Sequence, residues 1–210
     1  MRSYVIVANF SAMRRTAEDL KAACRAAVLG EAVETGVVGL TVEGVARRAA
    51  VAKTSIYRHW ATVDDLLLDA LVEIYPVETP TPEGGDLRAD LLRSLDQLAE
   101  WLSGPAAAVV AAILTERGRR PEFVEELYRR VFDAHGGRFT RIVMDHYSAL
   151  GEVDARLITP VVADIGEALV IKHQIDTGML PDVEVRAAIV DQAILPALGR
   201  GVPDKRKCHL

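Results

Sequence analysis

The 210-residue chain is half hydrophobic and carries a formal charge of −5, which suits a folded protein with a sizeable core, either one compact unit or a small domain joined to a larger one. Its two cysteines, Cys24 and Cys208, lie far apart with no CxxC pair; this excludes a disulfide framework and a zinc ribbon and points to the reducing cytoplasm. The apolar run Tyr4-Val5-Ile6-Val7-Ala8 is too short to span a bilayer and lacks a signal-peptide layout, so no membrane partner is expected.

Met13 opens the charged pair Arg14-Arg15, leaving residues 1–13 as an N-terminal arm or the result of an upstream start, and both readings stay open. Leu20, Ala23, Cys24, Ala27 and Val28 predict a first helix ending near Gly36. Thr41 stands before Val42, Val45, Ala46 and Ala49, whose spacing puts them on one helix face, with the threonine hydroxyl placed to accept a backbone N–H. After Ala50-Val51-Ala52 comes a second short helix. There Ile56 and Trp60, four apart, anchor inward, while Lys53, Thr54, Ser55, Tyr57, Arg58 and His59 point elsewhere. Two short helices meeting at a tight break, the second half anchor and half probe, are the grammar of a DNA-reading helix-turn-helix.

A fourth helix, marked by Leu66, Leu67, Ala70, Leu71 and Ile74, links this unit to the rest. Residues 75–85, YPVETPTPEGG, hold three prolines and two glycines and make the best boundary. Beyond it, Leu87, Leu91, Leu95, Leu98 and Leu102 repeat at helical spacing, Gly104-Pro105 breaks the chain, and residues 106–117 form a small apolar helix. Pro121 starts another, with Phe123, Leu127, Val131 and Phe132 inward, and Gly136-Gly137 precede a helix over 139–150. Helices are also predicted over 161–177 and 183–198, each with more apolar positions than one buried stripe needs. A twin copy covering that surface gives a homodimer through the last two helices. No strand-like alternation is long enough for a sheet, so the chain reads as all-α: an arm (1–13), a helix-turn-helix domain (14–74), a linker (75–85), a larger helical ligand-binding and dimerisation domain (86–200) and a tail (201–210).

Charge is divided unevenly. Residues 13–72 hold eight basic and eight acidic side chains, whereas residues 73–210 hold sixteen basic and twenty-two acidic ones. Arg47, Arg48, Lys53 and Arg58 lie between Val45 and Val63 with no acid among them, and Arg14 and Arg15 can join them where the first helix meets a duplex. Such a local footprint gives salt-sensitive binding to double-stranded DNA, while the acidic remainder discourages indiscriminate association.

Gly36 and Gly39 before the motif, Thr41, Val45-Ala46, Val51, Lys53, Ile56-Tyr57-Arg58, Trp60 and Leu66-Leu67 together resemble the N-terminal domain of the TetR family of bacterial repressors. Three positions depart from that pattern: Ala50 replaces a turn glycine, Ala52 a Ser or Thr cap, and Val63 a phosphate-contacting lysine. Gly85-Asp86-Leu87-Arg88 and Thr177-Gly178-Met179-Leu180-Pro181 extend the resemblance to actinobacterial-type members whose motif reads IYR-x-W. The resemblance implies a repressor that leaves a near-palindromic operator when a small molecule enters its C-terminal domain. On DNA, Lys53 can reach a guanine edge or a phosphate, Thr54 and Ser55 bases or backbone, and Thr41, Tyr57, Arg58 and His59 phosphates. In the C-terminal domain Trp101, Tyr128, Phe132, His135, Phe139 and His173 are the candidate ligand contacts, with plain core packing as the competing reading for each aromatic.

No cofactor or metal is expected, and no HExxH, phosphate-binding glycine loop or nucleophile elbow is present, so the chain does not read as an enzyme. The rival reading is a helical metal-dependent enzyme using Asp145-His146 and His173-x-x-Asp176. A third is an interaction module that has lost DNA binding through the departures at Ala50, Ala52 and Val63.

Overall fold

A computed structural model describes residues 16–76, 85–135 and 139–201. Arg14 and Arg15, most of the expected linker and nearly all of the tail lie outside these residues, as does Cys208. Among the described residues all regular structure is helical, and no single helix is long and apolar enough to cross a membrane.

The first helix, α1 (Ala17–Thr35), begins where the Thr16 hydroxyl and the Asp19 carboxylate cap each other's backbone N–H groups, and ends at Gly36 with φ of 72°. Helices α2 (Val42–Ala49), α3 (Lys53–Tyr57) and α4 (Val63–Ile74) complete the N-terminal unit. α3 is shorter than expected: the N–H groups of His59 and Trp60 both reach the carbonyl of Ile56, closing the helix there. α4 starts at a second reciprocal cap, Thr62 with Asp65. Val63 therefore occupies the first helical turn, half-buried against the apolar core.

The body comprises α5 (Leu87–Ser103), α6 (Pro105–Thr115), α7 (Pro121–Leu127), α8 (Phe139–Ala149), α9 (Pro160–Thr177), α10 (Val183–Ile189) and the short α11 (Leu195–Ala197). α7 continues into a wide π turn, Tyr128–Phe132, and α10 into another, Val190–Ile194, so the expected single helix over 183–198 is interrupted. Pro196 supplies a reason for the second. Its ring would clash with the carbonyl four residues back, and the preceding turn widens so that the Leu195 N–H reaches Val190, five residues back.

Packing does not divide at residues 75–85. One buried cluster runs from Cys24, Val28, Val45, Ile56, Leu66 and Leu71 into Val109, Val110, Ile113, Val124 and Leu127, so α6 and α7 share a core with the helix-turn-helix. A second joins α5, α8, α9 and the second π turn through Leu91, Leu95, Val143, Met144, Val170, Val190 and Ile194. Among the described residues, Tyr75 and Trp101 pack against both.

The Gly85-Asp86-Leu87-Arg88 stretch fastens the second cluster. Asp86 caps α5 by accepting from the Ala89 N–H at 3.0 Å, and its own N–H donates to the Tyr147 hydroxyl at 3.1 Å. That hydroxyl donates to the buried Asp90 carboxylate at 2.7 Å. Arg88 meets Asp191 with two parallel bonds of 2.6 and 2.9 Å, tying α5 to the second π turn.

Gly166 marks the tightest crossing. A Cβ placed there would meet Thr140 Cγ2 at 2.7 Å, Ile194 Cδ1 at 3.1 Å and Leu95 Cδ2 at 3.2 Å, side chains from three other elements. Overpacking of this kind costs about 1–3 kcal/mol, against a gain of about 1 kcal/mol from replacing a helical glycine by alanine. Gly166→Ala is therefore expected to lower the urea unfolding midpoint; an unchanged or higher midpoint would show that α9 can move away freely.

Candidate nucleic-acid interface and ligand seam

α2 presents α3 through a turn built without glycine. Thr41 Oγ1 accepts from the Gly44 N–H at 3.1 Å and starts α2, which leaves its hydroxyl hydrogen to donate elsewhere. At the other end Ala50 adopts φ of 54° and ψ of 48°, the left-handed conformation. The Val51 N–H reaches Ala46 and the Ala50 N–H reaches Arg47, the paired bonds of a Schellman ending. Ala50 is the one non-glycine with positive φ among the described residues.

Ala52 gives α3 no side-chain cap, and its first turn holds no acid but a lysine, so positive backbone dipoles and Lys53 share one end. Glu43 of α2 offsets this: the Lys53 ammonium donates to its carboxylate at 2.6 Å. That bond holds the Glu43 carboxyl below, and raises the Lys53 ammonium above, their usual ranges. Beneath, Ile56 and Trp60 are buried, and the Trp60 indole donates to Asp69 of α4 at 3.0 Å. Thr54, Tyr57, Arg58 and His59 are exposed, Ser55 is half-buried, and the His59 ring lies edge-on to Trp60 at 5.5 Å.

The basic footprint is smaller than the sequence implies, because acids distant in sequence fold onto it. Buried Glu31 of α1 receives Arg48 at 3.1 Å and Arg47 at 3.5 Å, and Arg48 also pairs with Glu34. Among the described residues Arg58 is the one member of that cationic group in no ion pair.

The candidate ligand residues fall into two sets. Trp101, Phe132 and Phe139 converge on Tyr75, the residue that ends α4, at ring separations of 5.5, 5.4 and 6.0 Å. Tyr128 joins through Phe132 at 5.1 Å and lies under the Arg117 guanidinium. His173, half-buried on α9, has no ring contact with this group, and the side chain of His135 lies outside the described residues. Tyr75 was hidden in the sequence by its place at the head of a proline-rich linker; an aromatic immediately after an apolar helix was the available signal. Two polar atoms of α5, Trp101 Nε1 and Gln97 Oε1, are buried without a hydrogen-bond partner among the described residues, as is His146 Nε2 of α8.

Ion pairs hold the opposite end of α4. Arg120 pairs with Asp64, and Arg130 of the first π turn meets Asp65 at 3.3 Å. A cleft of about 430 Å³ opens beside them, bordered by Leu68, Phe123 and Glu126. The two pairs considered as metal ligands are not gathered: Asp145 accepts from Arg141, Asp176 from Lys172, and no three His, Cys, Asp or Glu cluster as ligands would among the described residues.

A capped support helix, a tight turn and an anchored helix with an exposed polar row define a DNA-binding helix-turn-helix regulator. The comparisons agree. Residues 26–70 match the model for bacterial regulatory proteins of the tetR family, and residues 81–193 that for the tetracyclin repressor-like C-terminal domain. HTH-type transcriptional regulators of Mycobacterium tuberculosis and Mycobacterium bovis are 32% identical over 168 residues, 80% of this chain and 82% of theirs. The regulator AqdR of Rhodococcus erythropolis is 30% identical over 58% of each chain. Among solved structures, a TetR-family regulator of Mesorhizobium loti aligns with a TM-score of 0.55 at 11% identity, covering 88% of this chain and 98% of that one. A HlyIIR mutant protein aligns at 0.57 and 11%, covering 82% and 96%; these two show the fold alone. The chain belongs to the TetR family of bacterial transcriptional regulators.

Two substitutions test the local geometry. Holding an L-residue in the left-handed region costs about 1–2 kcal/mol, a strain that glycine relieves while adding freedom to the unfolded chain. Ala50→Gly is thus expected to stabilise the protein by about 1 kcal/mol in urea unfolding, and destabilisation would contradict the turn. Glu43→Gln releases Lys53 and should raise affinity for DNA of any sequence severalfold, steepening the log–log salt slope by about 0.9 per phosphate gained. A slope unchanged in binding titrations at several salt concentrations would show that Lys53 does not exchange Glu43 for a phosphate.

Proposed function

We propose that this regulator is a cytoplasmic, non-enzymatic repressor that binds a near-palindromic operator as a homodimer and leaves it when a small molecule binds the C-terminal body. The observation that carries this reading is the row Lys53, Thr54, Tyr57, Arg58 and His59, exposed on a helix held from below by buried Ile56 and Trp60. In this reading residues 14–74 dock on DNA, 75–85 link, and 86–200 bind ligand and partner. The N-terminal residues of α3 face base edges. Thr54, with half-buried Ser55, meets bases or backbone and Lys53 a guanine edge or a phosphate, while Thr41, Tyr57, Arg58 and His59 hold phosphates, joined by Arg14 and Arg15.

The dimer reading is supported by apolar side chains exposed along α9, in the turn after it and at the start of α10. Val161 is 75% exposed, Ile175 74%, Met179 68% and Val183 65%, more than an isolated regulator gains from showing to water. A twofold-related copy covers this stripe and sets two recognition helices about 34 Å, one helical repeat, apart. A ligand preferring a different spacing weakens operator binding by its difference in affinity for the two arrangements. The family membership supports each of these assignments in kind, and the relatives named above are transcriptional regulators.

The experiment is footprinting of the purified full chain on DNA flanking its own gene. A protected near-palindrome, with affinity falling steeply as salt rises, is expected. Lys53→Ala combined with Tyr57→Ala should abolish that footprint while the dimer persists in sedimentation. A footprint that survives would assign recognition to another surface, and no preference over random DNA would leave the interaction-module reading in its place.

A further inference from the structure

We propose that the effector is an uncharged, planar aromatic molecule with a carbonyl-type acceptor, held where Tyr75, Trp101, Phe132 and Phe139 meet; this rests on the ligand-responsive regulator reading above. Three observations lead there. The four rings converge from the end of α4, α5, the first π turn and α8, with Tyr75 touching each of the other three at an edge or tilted angle, so a flat molecule enters by parting Tyr75 from one of them. Trp101 buries its indole N–H with no acceptor among the described residues, and Gln97, one turn earlier on the same face of α5, buries its amide oxygen with no donor. Leaving such groups unmade costs about 1–3 kcal/mol each, a penalty a core has no reason to keep twice on one helix face unless something else completes the bonds.

The unfilled chemistry is specific. An indole N–H only donates and requires an acceptor; the free Gln97 oxygen accepts and is completed by a hydroxyl or N–H on the same molecule, about one helical turn away. Both groups are neutral. The acid on this face of α5, Asp90, is already engaged by Tyr147 and Arg93 and has no call on a ligand cation. The Arg117 guanidinium lies over Tyr128. A charged ligand would therefore be desolvated against aromatic rings without a counterion at its polar end, whereas a flat neutral ketone, lactone or amide is not.

The location also gives such a molecule its leverage. Tyr75 ends α4, and with Trp101 it is the contact between the two buried clusters. A ring inserted beside Tyr75 moves the end of the helix whose Asp69 holds the recognition helix through Trp60.

The test uses the full-length dimer and bicyclic probes in matched pairs: 1-tetralone against tetralin, 1-indanone against indane, and coumarin against naphthalene, with 2-naphthoate as the anion. The chain has two tryptophans, so ¹H–¹⁵N spectra resolve two indole resonances, assigned with Trp101→Phe. Carbonyl probes are expected to move the Trp101 indole proton downfield and to bind about tenfold tighter than their hydrocarbon partners, the equivalent of 1.4 kcal/mol. Trp101→Phe should erase that tenfold difference while still binding both members of a pair. Equal binding within every pair, no carbonyl probe moving the Trp101 resonance, or preference for 2-naphthoate each overturns the proposal. Footprinting without probe checks the regulator reading separately. Carbonyl preference without a footprint sinks that reading alone, and a footprint without carbonyl preference sinks the ligand class alone.

Discussion

Everything the recognition helix does depends on one carboxylate. Asp69 of α4 accepts the Trp60 indole N–H at 3.0 Å and the Arg25 guanidinium of α1 at 2.8 Å, so the segment that follows the recognition helix, α4 and the first helix are fixed to one another through a single side chain. α3 is too short to hold a direction by itself: five residues make little more than one turn, and nucleation costs exceed what so few bonds return. Its orientation is borrowed from α2, on which it packs, and from α4 through the Trp60 indole on Asp69. α4 is gripped in turn by the body, through Arg120 and Arg130 on Asp64 and Asp65 at one end and through the aromatic seam at Tyr75 at the other. The body thus holds α4 by contacts outside the proline-rich stretch.

Much of the helix-turn-helix was legible because its signals are local. Thr41 caps, Ile56 and Trp60 bury, and Ala50 takes the left-handed conformation the resemblance required of it. The missing cap at Ala52 is real as well, and Glu43 offsets the charge of Lys53 at that helix end. What stayed hidden depends on side chains meeting across the fold. The sequence between Val45 and Val63 has no acid, yet Glu31 and Glu34 neutralise Arg47 and Arg48 from α1, because α1 packs across α2. The π turns at Tyr128–Phe132 and Val190–Ile194 left no periodic signature, since one extra residue per turn disturbs the pattern less than a proline does. The shared core of α6, α7 and the N-terminal unit was equally invisible, because a linker in sequence does not require a gap in packing.

Among the candidate ligand residues, spacing could nominate aromatics but not gather them. Trp101, Phe132 and Phe139 come together, with Tyr128 beside Phe132, because each meets Tyr75 or Phe132, and His173 makes no ring contact with them. The near-neutral DNA surface follows from the same kind of meeting. With three of its cations held by acids, association gains less from indiscriminate phosphate attraction than the basic sequence suggests, and more of the discrimination falls to what α3 can reach.

Where α4 joins the DNA surface to the aromatic seam as one mechanical unit, linkage requires the influence to run both ways. Amide hydrogen exchange of the purified protein, with and without operator DNA, measures this directly. The account requires operator binding to change protection along residues 53–60 and 63–76 and also at residues 97–103 and 127–132, which no DNA touches. Changes confined to residues 41–60 would contradict it.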